Sequence, residues 1–94
     1  MRLVWTRQAL RDLDAARDHV AAANPKAARD TIARIDRALA ALLSYPEMGR
    51  PGWLKSTREL VVTGTPFFIP YRLRADRIEL LGVIHGARKW PDKT

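Results

Sequence analysis

Residues 64–91, GTPFFIPYRLRADRIELLGVIHGARKWP, contain two apolar runs that are separated by a short polar turn. Runs 67–74 and 77–85 are rich in aromatic and branched side chains, which predicts two β-strands joined at Ala75-Asp76. Tyr71 and Leu73 alternate with Arg72 and Arg74, so one face of the first strand should pack and the other present two guanidinium groups. Pro70 lies inside the first run. Because proline has no N–H to donate to a ladder, we expect a bulge or a break there, or a run that splits into two shorter pieces.

The sequence before this hairpin predicts a short strand and a first helix. Leu3-Val4-Trp5 has strand character, and Thr6 is a suitable N-cap for a helix that runs to about Ala22. Asn24 and Pro25 then supply the capping residue and the first-turn proline of a second helix. Its apolar residues recur at alternating spacings of four and three: Ala28, Ile32, Ile35, Leu39 and Leu42.

The remaining segments complete an α+β fold. Residues 44–52, with two prolines and two glycines, predict a loop, and residues 58–62 predict a further strand. The order is therefore β-α-α-β-β-β, with the N-terminal strand and a helical hairpin packed on a mainly antiparallel sheet. We expect a single domain over residues 1–94, since a chain of this length builds one thin two-layer core.

The composition predicts an anionic partner. Seventeen Lys and Arg against ten Asp and Glu give a net charge of +7, which would attract nucleic acid, an acidic protein or an anionic lipid surface. Most of the cations are arginine, which favours bidentate contact with carboxylate or phosphate, although a GC-rich genome would produce the same bias.

Several classes of function are excluded by what the sequence lacks. There is no cysteine, and no window has the length of apolar residues that a signal peptide or a membrane span needs, so we expect a cytoplasmic protein without membrane contact. No Gly-rich phosphate loop or His/Cys metal spacing occurs, and we therefore expect neither a cofactor nor a metal.

His85 is the candidate catalytic residue, because it could exchange a proton near neutral pH. Arg58, Arg72 and Arg88 could in principle gather around it and clamp a phosphate, which would make a metal-independent ribonuclease. The alternative is a structural histidine that forms hydrogen bonds at a strand end. Glu59 is interpreted as the ion-pair partner of an arginine, and His19 as a solvated side chain.

Two tryptophans are candidate contact residues. Trp90 follows Arg88-Lys89 and could stack on a base or on a partner's side chain, or could instead fold back over the sheet edge. We assign Arg88, Lys89 and Trp90 as candidate target-binding residues. Trp53 lies in the Pro/Gly loop, where an exposed ring would be a contact site.

Five short segments together resemble the RelE/ParE superfamily of toxins from type II toxin–antitoxin systems. They are Glu47-Met48-Gly49-Arg50-Pro51, Arg58-Glu59-Leu60, Gly64-Thr65-Pro66, Pro70-Tyr71-Arg72 and His85-Gly86-Ala87-Arg88. The resemblance covers nearly the whole chain. It implies a toxin that arrests growth when free and forms a hetero-oligomer with a cognate antitoxin, whose tail is often acidic. By position, the expected antitoxin-binding residues are Arg29, Arg34, Arg37, Arg72 and Arg74.

The superfamily has two functional branches, and the sequence is closer to the ParE-like one. In the RNA-cutting branch the central strand commonly reads Arg-aliphatic-aliphatic-Tyr, whereas this chain has Phe68-Ile69-Pro70-Tyr71 and no tyrosine beyond Tyr71. The resemblance therefore implies plasmid-stabilisation-type inhibition of DNA gyrase by binding, without catalysis. The alternatives are a ribosome-dependent mRNA endonuclease and a non-toxic RNA-binding module.

Overall fold

The computed structural model describes residues 1–86 and 90–91 and shows one sheet packed against two helices. The elements in chain order are β1 (Arg2–Trp5), α1 (Arg7–Ala23), α2 (Pro25–Ser44), β2 (Arg50–Pro51), β3 (Arg58–Val61), β4 (Phe67–Leu73), β5 (Arg77–Leu80) and β6 (Ile84–His85). The strands lie in the order β1-β5-β4-β3-β2, and β6 pairs with β4 beyond the end of β5. Within the described residues β1 and β5 form the one parallel pair. The α+β prediction is confirmed.

Both helices begin at the predicted caps. The Thr6 hydroxyl accepts a hydrogen bond from the N–H of Ala9 at 3.2 Å and donates one to the carbonyl of Leu80 at 2.7 Å. Thr6 therefore caps α1 and also ties its start to the end of β5. The Asn24 side chain accepts from the N–H groups of Lys26 and Ala27, and Pro25 occupies the first helical position, as its fixed φ favours.

The core lies between the helical hairpin and the sheet face that it covers. Each helix contributes one apolar stripe, and alternate residues of the strands point to meet it. The buried cluster comprises Ala9, Ala16, Ile35, Leu39, Leu42, Leu60, Val62, Phe67, Ile69, Tyr71, Ile78, Leu80 and Val83. No helix in the described part of the chain is long and apolar enough to cross a membrane.

Pro70 does not interrupt its own strand; the strand opposite is interrupted instead. The predicted strand 77–85 divides into β5 and β6, and residues 81–83 lie between them outside the ladder. Tyr71 pairs with Leu80, and Phe68 pairs with Ile84. Two residues of β4, Ile69 and Pro70, therefore face the three residues 81–83 of the opposite segment. The Pro70 carbonyl accepts from the N–H of Leu81 at 2.8 Å, but Pro70 has no N–H to return the bond. The ladder loses a donor where it changes register, as a bulge does.

Tyr71 connects the sheet to the loop between α2 and β2. Its side chain is fully buried, and its hydroxyl donates to the carbonyl of Pro46 at 2.7 Å and accepts from the N–H of Gly49 at 3.0 Å. A Cβ on Gly49 would lie 2.6 Å from the Tyr71 hydroxyl oxygen, so only glycine fits. Burial raises the pKa of Tyr71 above its ordinary value of 10.0, although the hydrogen bond from Gly49 and the charge of Arg58 act in the opposite direction.

We predict that Tyr71→Phe lowers the free energy of unfolding by about 2 kcal/mol, because it leaves the buried Gly49 N–H and the Pro46 carbonyl without their partner. Urea denaturation followed by circular dichroism measures the change. Tyr45→Phe is the matched control, since Tyr45 is 70% exposed. Equal losses in the two variants would contradict this role of the Tyr71 hydroxyl.

The same variant should have an altered response to alkaline pH. Because the folded-state pKa of Tyr71 is raised, the unfolded chain loses this proton first. The stabilisation is complete below about pH 10 and is lost as the pH rises through the folded-state pKa. As the pH rises above about 10, the wild type should therefore lose more stability than Tyr71→Phe in urea denaturation.

Candidate functional site

The three candidate catalytic residues that the structure describes, His85, Arg58 and Arg72, do not converge. Arg58 faces the helices and donates from Nη1 to the carbonyls of Glu47 and Gly49, both at 3.0 Å. It pairs with Tyr71, whereas His85 pairs with Phe67, four residues away along β4. That separation corresponds to about 13 Å along a strand. Arg72 alternates with Tyr71 and lies on the opposite face of the sheet. Arg88 lies outside the described residues.

His85 lies at the mouth of a cavity between α1 and β6. Its ring meets the Phe67 ring edge to face, with centroids 5.8 Å apart and planes at 81°. The cavity measures about 350 Å³ and is also lined by Asp12, Ala15, Ala16, His19 and Val83. His19, interpreted from the sequence as solvated, is exposed but lines the same cavity. The apolar spacing of α1 did not predict that His19 and His85 share a cavity, because their proximity depends on how α1 crosses the sheet.

Asp12 holds the interrupted part of the sheet against α1. One carboxylate oxygen accepts from the N–H of Val83 at 3.1 Å, and the other accepts from the Gln8 side chain at 2.8 Å. The Val83 N–H belongs to the segment that has left the ladder, so Asp12 satisfies a donor that no strand pairs. A Cβ on Gly82 would lie 2.9 Å from the Asp12 carboxylate. Asp12 could not be singled out from the sequence, where it is one more acidic residue on a helix.

Glu59 is the ion-pair partner of an arginine, as predicted. Its carboxylate accepts from Arg50 Nε at 2.9 Å and from the N–H of Trp53 at 3.4 Å, and the residue is only 9% exposed. The Arg50 guanidinium also lies over the Phe68 ring, 5.5 Å from its centroid. Phe68 is buried, so this position holds an apolar ring covered by a cation whose charge is paired with Glu59.

The five arginines expected to bind an antitoxin form separate groups. Arg34 and Arg37 line a groove between α2 and the edge of β3, and Arg34 donates to the carbonyl of Thr63 at 3.5 Å. Arg29 lines a second groove, with Arg17, across the helical hairpin. Arg72 and Arg74 lie on the sheet face away from the helices, following the strand alternation.

Acidic residues neutralise part of that far face. Glu79 accepts from Arg74 and Arg77, each at 3.2 Å, and Asp76 accepts from Arg77 at 2.9 Å. Desolvation acts to raise the pKa of Glu79, but the hydrogen bonds from the two arginines hold that pKa below its ordinary value. The hydrogen bond from Arg77 likewise lowers the pKa of Asp76.

The predicted target-binding residues are described only in part. Arg88 and Lys89 lie outside the described residues, and Trp90 is partly buried. Across residues 1–86 and 90–91, no group of three or more His, Asp or Glu side chains is arranged to hold a metal ion.

Comparison with known proteins identifies the family. Residues 3–90 match the family described as "ParE toxin of type II toxin-antitoxin system, parDE". The chain belongs to the ParE toxin family. This assignment confirms the RelE/ParE resemblance and makes the protein a toxin of a type II toxin–antitoxin system.

Relatives of this ParE-family toxin match along nearly their full lengths. The Y4kP chain of Sinorhizobium fredii, described as a candidate toxin, is 47% identical over 90 residues, which are 96% of this chain and 93% of the relative. Toxin RelE2 of Caulobacter vibrioides is 37% identical over 86 residues, or 92% of this chain and 96% of that one. A solved chain from the chromosomal ParDE system of P. aeruginosa superposes with a TM-score of 0.78 at 32% identity, covering 90% and 95% of the two chains.

We predict that Asp12→Ala destabilises this ParE-family toxin by about 1–2 kcal/mol, because the half-buried Val83 N–H loses its acceptor. Amide hydrogen exchange at Val83 should accelerate, and urea denaturation should report the loss of stability. Asp14→Ala is the matched control on the same helix, since Asp14 makes only an exposed pair with Arg17. Unchanged exchange at Val83 in Asp12→Ala would refute this role.

Proposed function

We propose that this ParE-family toxin arrests growth in the cytoplasm by binding DNA gyrase, and that it is held inactive in a hetero-oligomer with an acidic segment of its antitoxin. The observation that carries the proposal is that the described candidate catalytic groups, His85, Arg58 and Arg72, lie apart in a ParE-type chain. A protein whose arginines are distributed over several surfaces is equipped for binding, whereas phosphate cleavage needs them around one reacting atom. The likeness to a chain of a ParDE system supports the same branch.

The groove beside β3 is the first proposed antitoxin surface. Beyond β2, the outer edge of β3 has no strand partner in the described chain, and Val61 is half exposed there. The groove is lined on the helix side by Arg34, Arg37, Ala38 and Ala41, and on the sheet side by Leu60, Val61 and Thr63, with Met48 at one end. An extended segment could add to the strand edge, place apolar side chains against the alanines and pair its carboxylates with the two arginines.

The groove between the two helices of the hairpin is the second proposed antitoxin surface. This groove of about 590 Å³ is lined by Ala21, Pro25, Ala28 and Ile32, and Arg17 and Arg29 stand at its sides. Small side chains allow a partner helix to approach closely, and the arginines favour acidic residues on that helix. The two surfaces lie on the helix side of the molecule, so one wrapping segment could cover both.

We predict that the two arginines of the β3 groove accelerate capture of the antitoxin. The variant with Arg34→Gln and Arg37→Gln should associate about tenfold more slowly at low salt, with a smaller change in dissociation, because charges at the rim of an interface act mainly on encounter. Surface plasmon resonance with the cognate antitoxin at several salt concentrations measures both rates. Arg7→Gln combined with Arg11→Gln is the charge-matched control on α1. A wild-type association rate that does not respond to salt would rule out electrostatic capture.

The geometry around Phe68 argues against RNA cleavage. The cation that contacts Phe68 is Arg50. Its charge is already paired with Glu59, with Arg50 Nε 2.9 Å from Glu59 Oε1. His85 shares its cavity with His19 and Asp12, while Arg58 is bound to loop carbonyls elsewhere. An endonuclease remains the second candidate, because a relative at 37% identity is named Toxin RelE2.

We predict that induction of the toxin alone stops growth, that the antitoxin restores it, and that purified toxin inhibits gyrase supercoiling. Primer extension on translated mRNA should show no toxin-dependent cuts. His85→Ala should retain at least half of the gyrase inhibition, because no proton transfer is involved, and Tyr45→Phe serves as the inert control. Ribosome-dependent cuts that disappear in His85→Ala would make the endonuclease assignment correct instead.

A further inference from the structure

Trp53 is held on the surface by a tightly bonded loop. Its side chain is 81% exposed, more than that of any other large hydrophobic residue in the described chain. The loop closes through the Gly52 N–H to the Thr57 carbonyl at 2.8 Å, and the Thr57 N–H and hydroxyl both donate to the Leu54 carbonyl. Ser56 adopts a positive φ of 65° in this turn. An ordered turn that leaves an indole in water is typical of a contact residue.

Glu59 fixes the base of the same loop from the sheet. Its carboxylate bridges the Arg50 side chain and the Trp53 N–H, so the indole projects from a backbone that is anchored at its own residue. Glu59 is therefore a positioning residue for Trp53. Because Glu59 is nearly buried and its bond to the Trp53 N–H is already formed, the loop would lose little conformational entropy when a ligand binds.

Besides Arg50, whose charge is paired with Glu59, two cations near Trp53 form no ion pair in the described chain, although one of them, Arg72, lies opposite Glu79 in the β4–β5 ladder. Lys55 lies in the loop itself and is exposed. Because Arg58 pairs with Tyr71, the preceding residue Thr57 lies opposite Arg72. Thr57 is in turn bonded to Gly52 at the base of the loop. Arg72 is therefore two strand spacings, or about 10 Å, from that base. Among the described residues, neither Lys55 nor Arg72 forms an ion pair, whereas Glu59 and Glu79 are each matched by arginines.

We propose that Trp53, Lys55 and Arg72 form a contact site for single-stranded DNA, in which the indole stacks on an unpaired base and the two cations contact the flanking phosphates. Aromatic stacking beside a cationic track is the chemistry by which proteins bind single strands. A protein partner would need an apolar pocket rimmed by acids, but an extended nucleic-acid strand needs only the isolated ring and the unmatched charges. The proposal rests on the proposed function in one respect: the strand is taken to be DNA within the gyrase complex.

The test measures binding of the full-length toxin to a labelled oligothymidine longer than the roughly 4–16 nucleotides that a single-strand-binding domain covers. Fluorescence anisotropy in the absence of gyrase gives the Kd. Trp53→Ala should weaken binding by about tenfold, and Trp53→Phe should recover part of the loss because a stacking ring is kept. Arg72→Gln should reduce the slope of log Kd against log salt by about 0.7, the contribution of one phosphate contact.

Two matched controls separate this site from general charge and hydrophobicity. Tyr45→Ala removes a different aromatic side chain that is 70% exposed, and Arg11→Gln removes a cation from α1. The oligothymidine Kd of Tyr45→Ala should stay within about twofold of the wild-type value. In Arg11→Gln, the ratio of the affinities for single-stranded and duplex DNA should change by no more than about twofold. Circular dichroism confirms that each variant is folded.

Three results would overturn the proposal. They are an oligothymidine affinity that is unchanged in Trp53→Ala and Arg72→Gln, at least tenfold tighter binding of oligouridine, or loss of gyrase inhibition in Trp53→Ala without loss of DNA affinity. The last result would make the loop a protein contact. A toxin that binds oligothymidine through Trp53 yet leaves gyrase active would instead refute the proposed gyrase target and retain the DNA site.

Discussion

The hydroxyl of Tyr71 is the contact on which the arrangement of the surfaces depends. Bonds to Pro46 and Gly49 hold the loop that leaves α2 against the centre of the sheet. Arg58 adds two bonds to the carbonyls of the same loop, one of them at Gly49. The loop then leads directly into β2, whose Arg50 pairs with Glu59. The position of Met48 in the β3 groove and that of Trp53 beyond β2 both follow from this one buried phenol.

A missing donor organises the other end of the sheet. Pro70 cannot return the bond from Leu81, and the chain opposite leaves the ladder over residues 81–83. Asp12 on α1 then supplies the acceptor for the Val83 N–H. The interruption is thus closed by a helix rather than by a strand. It also shapes the cavity that brings His19 and His85 together, although they are far apart in the sequence.

The sequence predicted the fold because its local signals agree with one another. Thr6 and Asn24 cap the helices, the apolar spacing of α2 gives its buried face, and alternation gives the strands. It located Glu59 correctly as an ion-pair partner. It placed the discontinuity at Pro70 in the wrong strand, because a proline's effect on a ladder depends on which neighbour its nitrogen faces. It also grouped arginines that alternation sends to opposite faces, and Asp12 carried no local signal for its contact with Val83.

The crowding between Gly49 and Tyr71 has a consequence for how such a sequence can change. A methyl group at position 49 would overlap the phenol ring and its oxygen at 2.6 Å, so alanine is excluded while tyrosine is present. Exchange of the phenol for a smaller side chain would remove that obstacle together with both hydrogen bonds. Positions 49 and 71 are therefore epistatic: the acceptability of a residue at one depends on the residue at the other, and divergence through single steps must pass through a less stable intermediate.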